Sequence, residues 1–232
     1  MQLLISHYST KSCPSGYGLM MHIVNVLVVL PVVMAVVVMA AGRVQASDAK
    51  TVLALGDSLT AGYGLPQPDA FPVQLQAALI AAGESVTVVN AGVSGDTSAG
   101  GRSRLGWLLS NPVDAVIVEL GANDGLRGLD PAETRRNLDW ILATLKERRI
   151  PMLVTGMLAP PNLGEDYGIE FNAIYPELAQ KYGALYDAFF LQGVAADPGL
   201  NQADGIHPNA DGVAVIVERL TPKVQQLLKN KP

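Results

Sequence analysis

Between Thr51 and the C-terminus the chain alternates between two kinds of hydrophobic pattern, and that alternation leaves few folds open to it. Thr51–Leu55, Val86–Val89, Ala115–Leu120 and Met152–Thr155 are short apolar runs bounded by Gly, Asn or Pro, with Ala184–Tyr186 as a shorter fifth. Continuous runs of this length suit strands buried on both faces. Between them, apolar residues recur at helical spacing. Phe71, Leu75, Ala78 and Leu79 form one stripe, and Leu138, Ile141, Leu142 and Leu145 a second. The second helix opens Asp130-Pro131-Ala132-Glu133, which places an acid at the N-cap, a proline in the first turn and a Glu at the capping-box position. Val213, Ile216, Val217, Leu220, Val224, Leu227 and Leu228 form the last stripe, with a kink or break expected near Pro222. Strand–helix alternation of this kind predicts an α/β fold, a central parallel sheet covered by helices on both faces. Chemistry in such folds gathers at the carboxyl ends of the strands.

The first 46 residues are of another kind. A nearly continuous apolar run spans Leu19–Ala41, and Val44-Gln45-Ala46 fits a small-x-small cleavage site before Ser47. Residues 1–46 are therefore read as a signal peptide and 47–232 as one domain, exported to the periplasm or secreted. The run is also long enough to span a bilayer, so an uncleaved anchor stays open, as does a start near Met20. The leader carries Lys11, Arg43 and no acid, so the remainder is more acidic than the whole chain's net charge of −5. No basic stripe appears, which argues against a nucleic-acid partner. The one cysteine, Cys13, and two of the three histidines, His7 and His22, lie in the leader. The domain is left with no thiol, no disulfide and a single imidazole, His207. That rules out a His-rich metal site and assigns any imidazole chemistry to one residue.

Four segments fall where chemistry is expected. Gly56-Asp57-Ser58-Leu59 follows the first strand and would set Ser58 at the top of the sheet, where backbone N–H groups can meet negative charge. It lacks the lysine of a P-loop and the spacing of the G-x-S-x-G elbow; taken alone, Ser58 could equally be a helix cap. Asn90–Thr97 carries Gly92 and Gly95, which allow close backbone approach or a plain turn into a helix. Gly121-Ala122-Asn123-Asp124-Gly125 ends the third strand, and Asn123 suits either an oxyanion donor or a local turn. Asp204-Gly205-Ile206-His207-Pro208 precedes the last helix. A histidine there can serve as general base to a serine, with an acid three residues earlier to orient it.

Taken together and in order, these segments resemble the blocks of the SGNH (GDSL) hydrolases, in particular the bacterial periplasmic thioesterase/lysophospholipase/arylesterase group. The resemblance runs through Leu55–Tyr63, Ser94–Ser98, Glu119–Gly128, Ile174-Tyr175-Pro176 and Asp204–Asn209, and covers nearly all of residues 50–228. A departure at Ala91-Gly92-Val93 touches no matched site position. The resemblance implies a flavodoxin-like three-layer α/β/α sandwich. It implies Ser58 as nucleophile, Asp204 and His207 as its partners, and an oxyanion hole made of the Ser58 and Gly95 amides and the Asn123 side chain. It also implies a small acyl ester or thioester as substrate, no metal or other cofactor, transient contact with membrane lipids, and a monomer. Met157–Gly168 is expected near the acyl pocket. Two rival readings are a carbohydrate O-acetyl esterase, which an aromatic content of 6% supports poorly, and a non-catalytic ligand-binding α/β protein.

Overall fold

A computed structural model describes residues 49–230. The leader expected over residues 1–46 lies outside the described residues. Five parallel strands form one sheet: β1 (Lys50–Gly56), β2 (Val86–Gly92), β3 (Ala115–Glu119), β4 (Met152–Thr155) and β5 (Leu185–Asp187), in the order β2-β1-β3-β4-β5. The helices are α1 (Ser58–Ala61), α2 (Phe71–Ala81), α3 (Ser98–Leu108), α4 (Ala122–Leu126), α5 (Pro131–Glu147), α6 (Glu165–Tyr182) and α7 (Ala210–Lys229). Helix α2 packs against α7, and α5 against α3 and α6, so the sheet is covered on both sides. This is the expected three-layer sandwich.

Strand order reverses between β1 and β3, whose ends meet in register at Gly56 and Glu119. Segments leaving these two strands diverge to opposite sides and open a crevice at their carboxyl ends. Ser58 follows β1 and Asn123 follows β3, so the topology itself brings the first and third segments together.

β3 and β4 are buried throughout, as their unbroken apolar runs require. β2 corrects the expectation of burial on both faces. It is an edge strand whose Val86 and Val88 face inward while Thr87 and Val89 stay exposed. The last stripe is buried at all seven predicted positions. It runs as one helix through Pro222, so the expected break does not occur. Leu220 and Val224, both fully buried, hold it on either side, and packing of that face outweighs one lost backbone bond. Asp130 caps α5 by accepting from the Ala132 N–H at 2.8 Å. Glu133, expected to complete a capping box, faces Arg136 instead.

Candidate active site

The Ser58 segment is a tight turn under steric control. Asp57 caps α1 by accepting from the Leu59 N–H at 3.0 Å, which fixes Ser58 as the first helical residue. Gly56 is required just before it. A Cβ there would lie 2.0 Å from the Thr60 hydroxyl and 2.4 Å from a Glu119 carboxylate oxygen. Gly95 has φ +84, in the left-handed region where a side chain is strained. Two arginines hold the second segment. Arg104 on α3 donates to Asp96 at 2.7 Å, to the Ala91 carbonyl at 2.6 Å and to the Gly56 carbonyl at 2.8 Å. Arg127 donates to the Gly95 carbonyl at 2.7 Å. The second segment is thus tied to both the first and the third.

His207 arrives from the loop before α7. Its Nε2 lies 2.9 Å from Ser58 Oγ and its Nδ1 2.6 Å from Asp204 Oδ2. With Nδ1–H donated to the carboxylate, Nε2 carries the lone pair toward the serine hydroxyl. The other oxygen of Asp204, Oδ1, accepts from the Ile206 and His207 backbone N–H groups at 2.9 and 3.0 Å. Those backbone bonds, the one from His207 first, and then the imidazole hold the Asp204 carboxyl down at about 2, so it stays charged at any working pH. The loop is braced by Gln202, whose backbone N–H donates to the His207 carbonyl at 2.8 Å and whose side chain donates to the Tyr63 carbonyl at 2.8 Å. The Tyr63 ring lies 4.7 Å from the imidazole, tilted by 40°.

Of the residues singled out from the sequence, Ser58, Asn123, Asp204 and His207 meet here, and Gly95 lies in the adjoining segment held by Arg127. Ser58, Asp204 and His207 form a continuous hydrogen-bonded line. Asn123 lines the cleft beside the serine, and its Nδ2 donates at 3.0 Å to the carbonyl of Asp96, the residue after Gly95. Arg104 and Gln202 had no local signal in the sequence, because each acts through distant backbone carbonyls. Tyr63 and Arg127 stood inside the recognised blocks but pointed to no role until the fold placed them.

A cleft of about 200 Å³ opens beside Ser58, Asn123 and His207. Its walls are apolar, with Leu59, Leu126, Met157, Leu158, Phe189 and Ile206 among them. Met157, Leu158 and Pro160 come from the segment expected at the acyl pocket. A larger hollow of about 540 Å³ lies at the opposite end of the sheet, among Lys146, Arg149, Met152 and Leu227, and has no serine, threonine or histidine in its lining among the described residues. An arrangement of serine, lone-pair imidazole and anchored carboxylate can activate a hydroxyl for attack on an acyl carbon, and the apolar cleft can take the acyl chain.

The family model for the GDSL-like lipase/acylhydrolase family matches residues 54–215. The chain is 39% identical over 185 residues to Esterase TesA of Pseudomonas aeruginosa, covering 79% of this chain and 92% of that protein. It is 39% identical over 187 residues to the Thioesterase 1/protease 1/lysophospholipase L1 of Escherichia coli K12, covering 80% and 88%. Among solved structures, AlinE4, an esterase of the SGNH-hydrolase family, aligns with a TM-score of 0.67 at 48% identity, over 79% of this chain and 99% of that one.

Proposed function

Since the chain belongs to the GDSL-like lipase/acylhydrolase family, we propose that it hydrolyses small acyl esters and thioesters through an acyl-enzyme on Ser58. The observation that carries this reading is the 2.9 Å approach of His207 Nε2 to Ser58 Oγ, with Nδ1 anchored on Asp204. His207 takes the Ser58 proton as Oγ attacks the acyl carbon, and the carbonyl π electrons move onto oxygen. The Ser58 and Gly95 amides and the Asn123 side chain receive that oxyanion. One such donor is typically worth about 3–4 kcal/mol of barrier, or roughly 100–1,000-fold in rate. The carbonyl re-forms and expels the alkoxide or thiolate, which His207 protonates. Water, deprotonated by the same imidazole, then attacks the acyl-enzyme, and His207 returns the proton to Ser58 as the free acid leaves. No step calls for a metal or other cofactor.

The apolar cleft favours an acyl chain over a sugar, whose recognition would call for aromatic platforms and polar donors. The relatives named esterase, arylesterase and thioesterase support the same substrate class. Residues 1–46 act in this reading as an export leader ahead of a monomeric periplasmic or secreted domain. Leu126, Leu158 and Ile206, about half exposed at the cleft mouth, would meet lipid substrates in passing. Ser58→Ala tests the chemistry. The folded variant should lose ester hydrolysis and covalent labelling by a fluorophosphonate, and near-normal turnover in it would reject the mechanism.

A further inference from the structure

Three carboxyl groups lie buried under the site: Asp57, Glu119 and Asp124. Burying a charge is costly unless it is paired or well hydrogen-bonded. Asp124 is accounted for structurally. It accepts from the Ser98 N–H and hydroxyl at 2.8 and 2.5 Å and from the Thr134 hydroxyl at 3.1 Å, stapling α3 and α5 to α4. Asp57 has no such excuse. It is fully buried, it caps a helix of only four residues, and no lysine or arginine among the described residues bonds it. Glu119 on β3 and Asp124 on α4 are acids, and His207 offers positive charge only when protonated. A serine or neutral asparagine would cap α1 without burying a charge.

The carboxylate makes one further bond. Asp57 Oδ2 accepts from Asn123 Nδ2 at 3.1 Å, joining residues that are 66 positions apart. The same amide nitrogen donates to the Asp96 carbonyl at 3.0 Å. A carboxylate is an acceptor only. Together with the Asp96 carbonyl, also an acceptor, it selects one of the two orientations open to the Asn123 amide, the one that puts the NH₂ end in the site. We infer that Asp57 is a positioning residue, whose buried carboxylate holds one amide hydrogen of Asn123 and so keeps the NH₂ end in the site, where the other hydrogen leaves the Asp96 carbonyl for the developing oxyanion. This rests on the reading of Asn123 as an oxyanion donor. An asparagine at position 57 has its own NH₂ to donate and no longer enforces this orientation, so the Asp96 carbonyl alone must hold the NH₂ end, and the hydrogen it keeps is lost to the oxyanion.

A double-mutant cycle tests the inference. kcat and KM for a p-nitrophenyl ester are measured for wild type, Asp57→Asn, Asn123→Ala and the double variant, each normalised to sites titrated by a fluorophosphonate so that only folded enzyme is counted. Asp57→Asn should lower kcat by about 100-fold or more, the scale of one lost oxyanion donor, with KM nearly unchanged. In the Asn123→Ala background the same change should cost less than about 3-fold, because its target is gone. Asp57→Ser, which keeps a cap for the Leu59 N–H but cannot hold Asn123 as an acceptor-only group, should lose kcat in the same way. Multiplying effects in the double variant would overturn the inference and assign Asp57 to the turn alone. An Asn123→Ala enzyme of normal kcat would instead remove Asn123 from the oxyanion hole, and with it both the donor reading and the inference.

Discussion

Replacing Glu119 with glutamine should remove a specific pH dependence of stability. Glu119 is fully buried. Its Oε2 accepts from the Thr60 hydroxyl at 2.6 Å and the Asp57 N–H at 3.3 Å, and its Oε1 is buried without a partner among the described residues. Burial first, and then the charge on Asp57, hold its carboxyl well above the usual carboxylate range. In the unfolded chain it titrates near the ordinary value of 4.5. Above that pH the unfolded chain releases a proton that the folded protein keeps. Stability is therefore greatest at low pH and falls as pH rises toward the folded value, by about 1.4 kcal/mol per pH unit. The loss from this group continues until the pH reaches the folded value and then stops. Glutamine does not titrate, but it brings an extra buried N–H worth about 1–3 kcal/mol. The variant should thus be the less stable protein near pH 4.5 and gain on the wild type by about 1.4 kcal/mol per unit from there upward. Asp57, pushed up to about 6 by burial, titrates in both proteins and largely cancels in the difference. Urea unfolding followed by fluorescence of Trp107 and Trp140 at pH 4.5, 5.5 and 6.5 measures that difference. A constant difference across the series would mean that Glu119 is ionised in the fold, and the reasoning would fail.

Acyl-chain length should register in the cleft. For p-nitrophenyl esters, kcat/KM should rise about 4-fold per added methylene, the value of about 0.8 kcal/mol for each CH₂ buried, and level off once the cleft of about 200 Å³ is filled; a flat series would place the acyl chain elsewhere. Mass spectrometry of the exported protein should find Ser47 at or next to the N-terminus, whereas an intact chain in the membrane fraction would make the leader an anchor.

The strands were legible because each is a local apolar run bounded by turn residues. Met152–Thr155 is read to the residue, and Val86 is the first residue of β2 as expected. The exposure of Thr87 and Val89 was not legible, because a strand's place at the edge depends on partners far along the chain. Helix α6 is a clearer omission. Phe171, Ile174, Tyr175, Leu178 and Ala179 keep exact helical spacing and are buried. Gly168 and Pro176 interrupt the pattern with two helix breakers, and the tertiary contact of that face overrides both. Helix α3 carried little signal, since Gly100, Gly101 and Gly106 leave it almost no apolar stripe.

The site divides along the same line. Ser58, Gly95, Asn123, Asp204 and His207 each sit in a short block whose residues meet locally, so their chemistry could be argued before the blocks were brought together. The acids beneath them could not be placed that way, because an Asp in a turn ordinarily faces water. Glu119 did carry a clue. It lies between Val118 and Leu120 in a run whose composition already implied burial on both faces. A carboxyl group inside such a run must be paired with a cation or carry a proton. No cation among the described residues bonds it; its partners are the Thr60 hydroxyl and the Asp57 N–H. The proton is the remaining solution, and the turn that presents Ser58 is built directly on it.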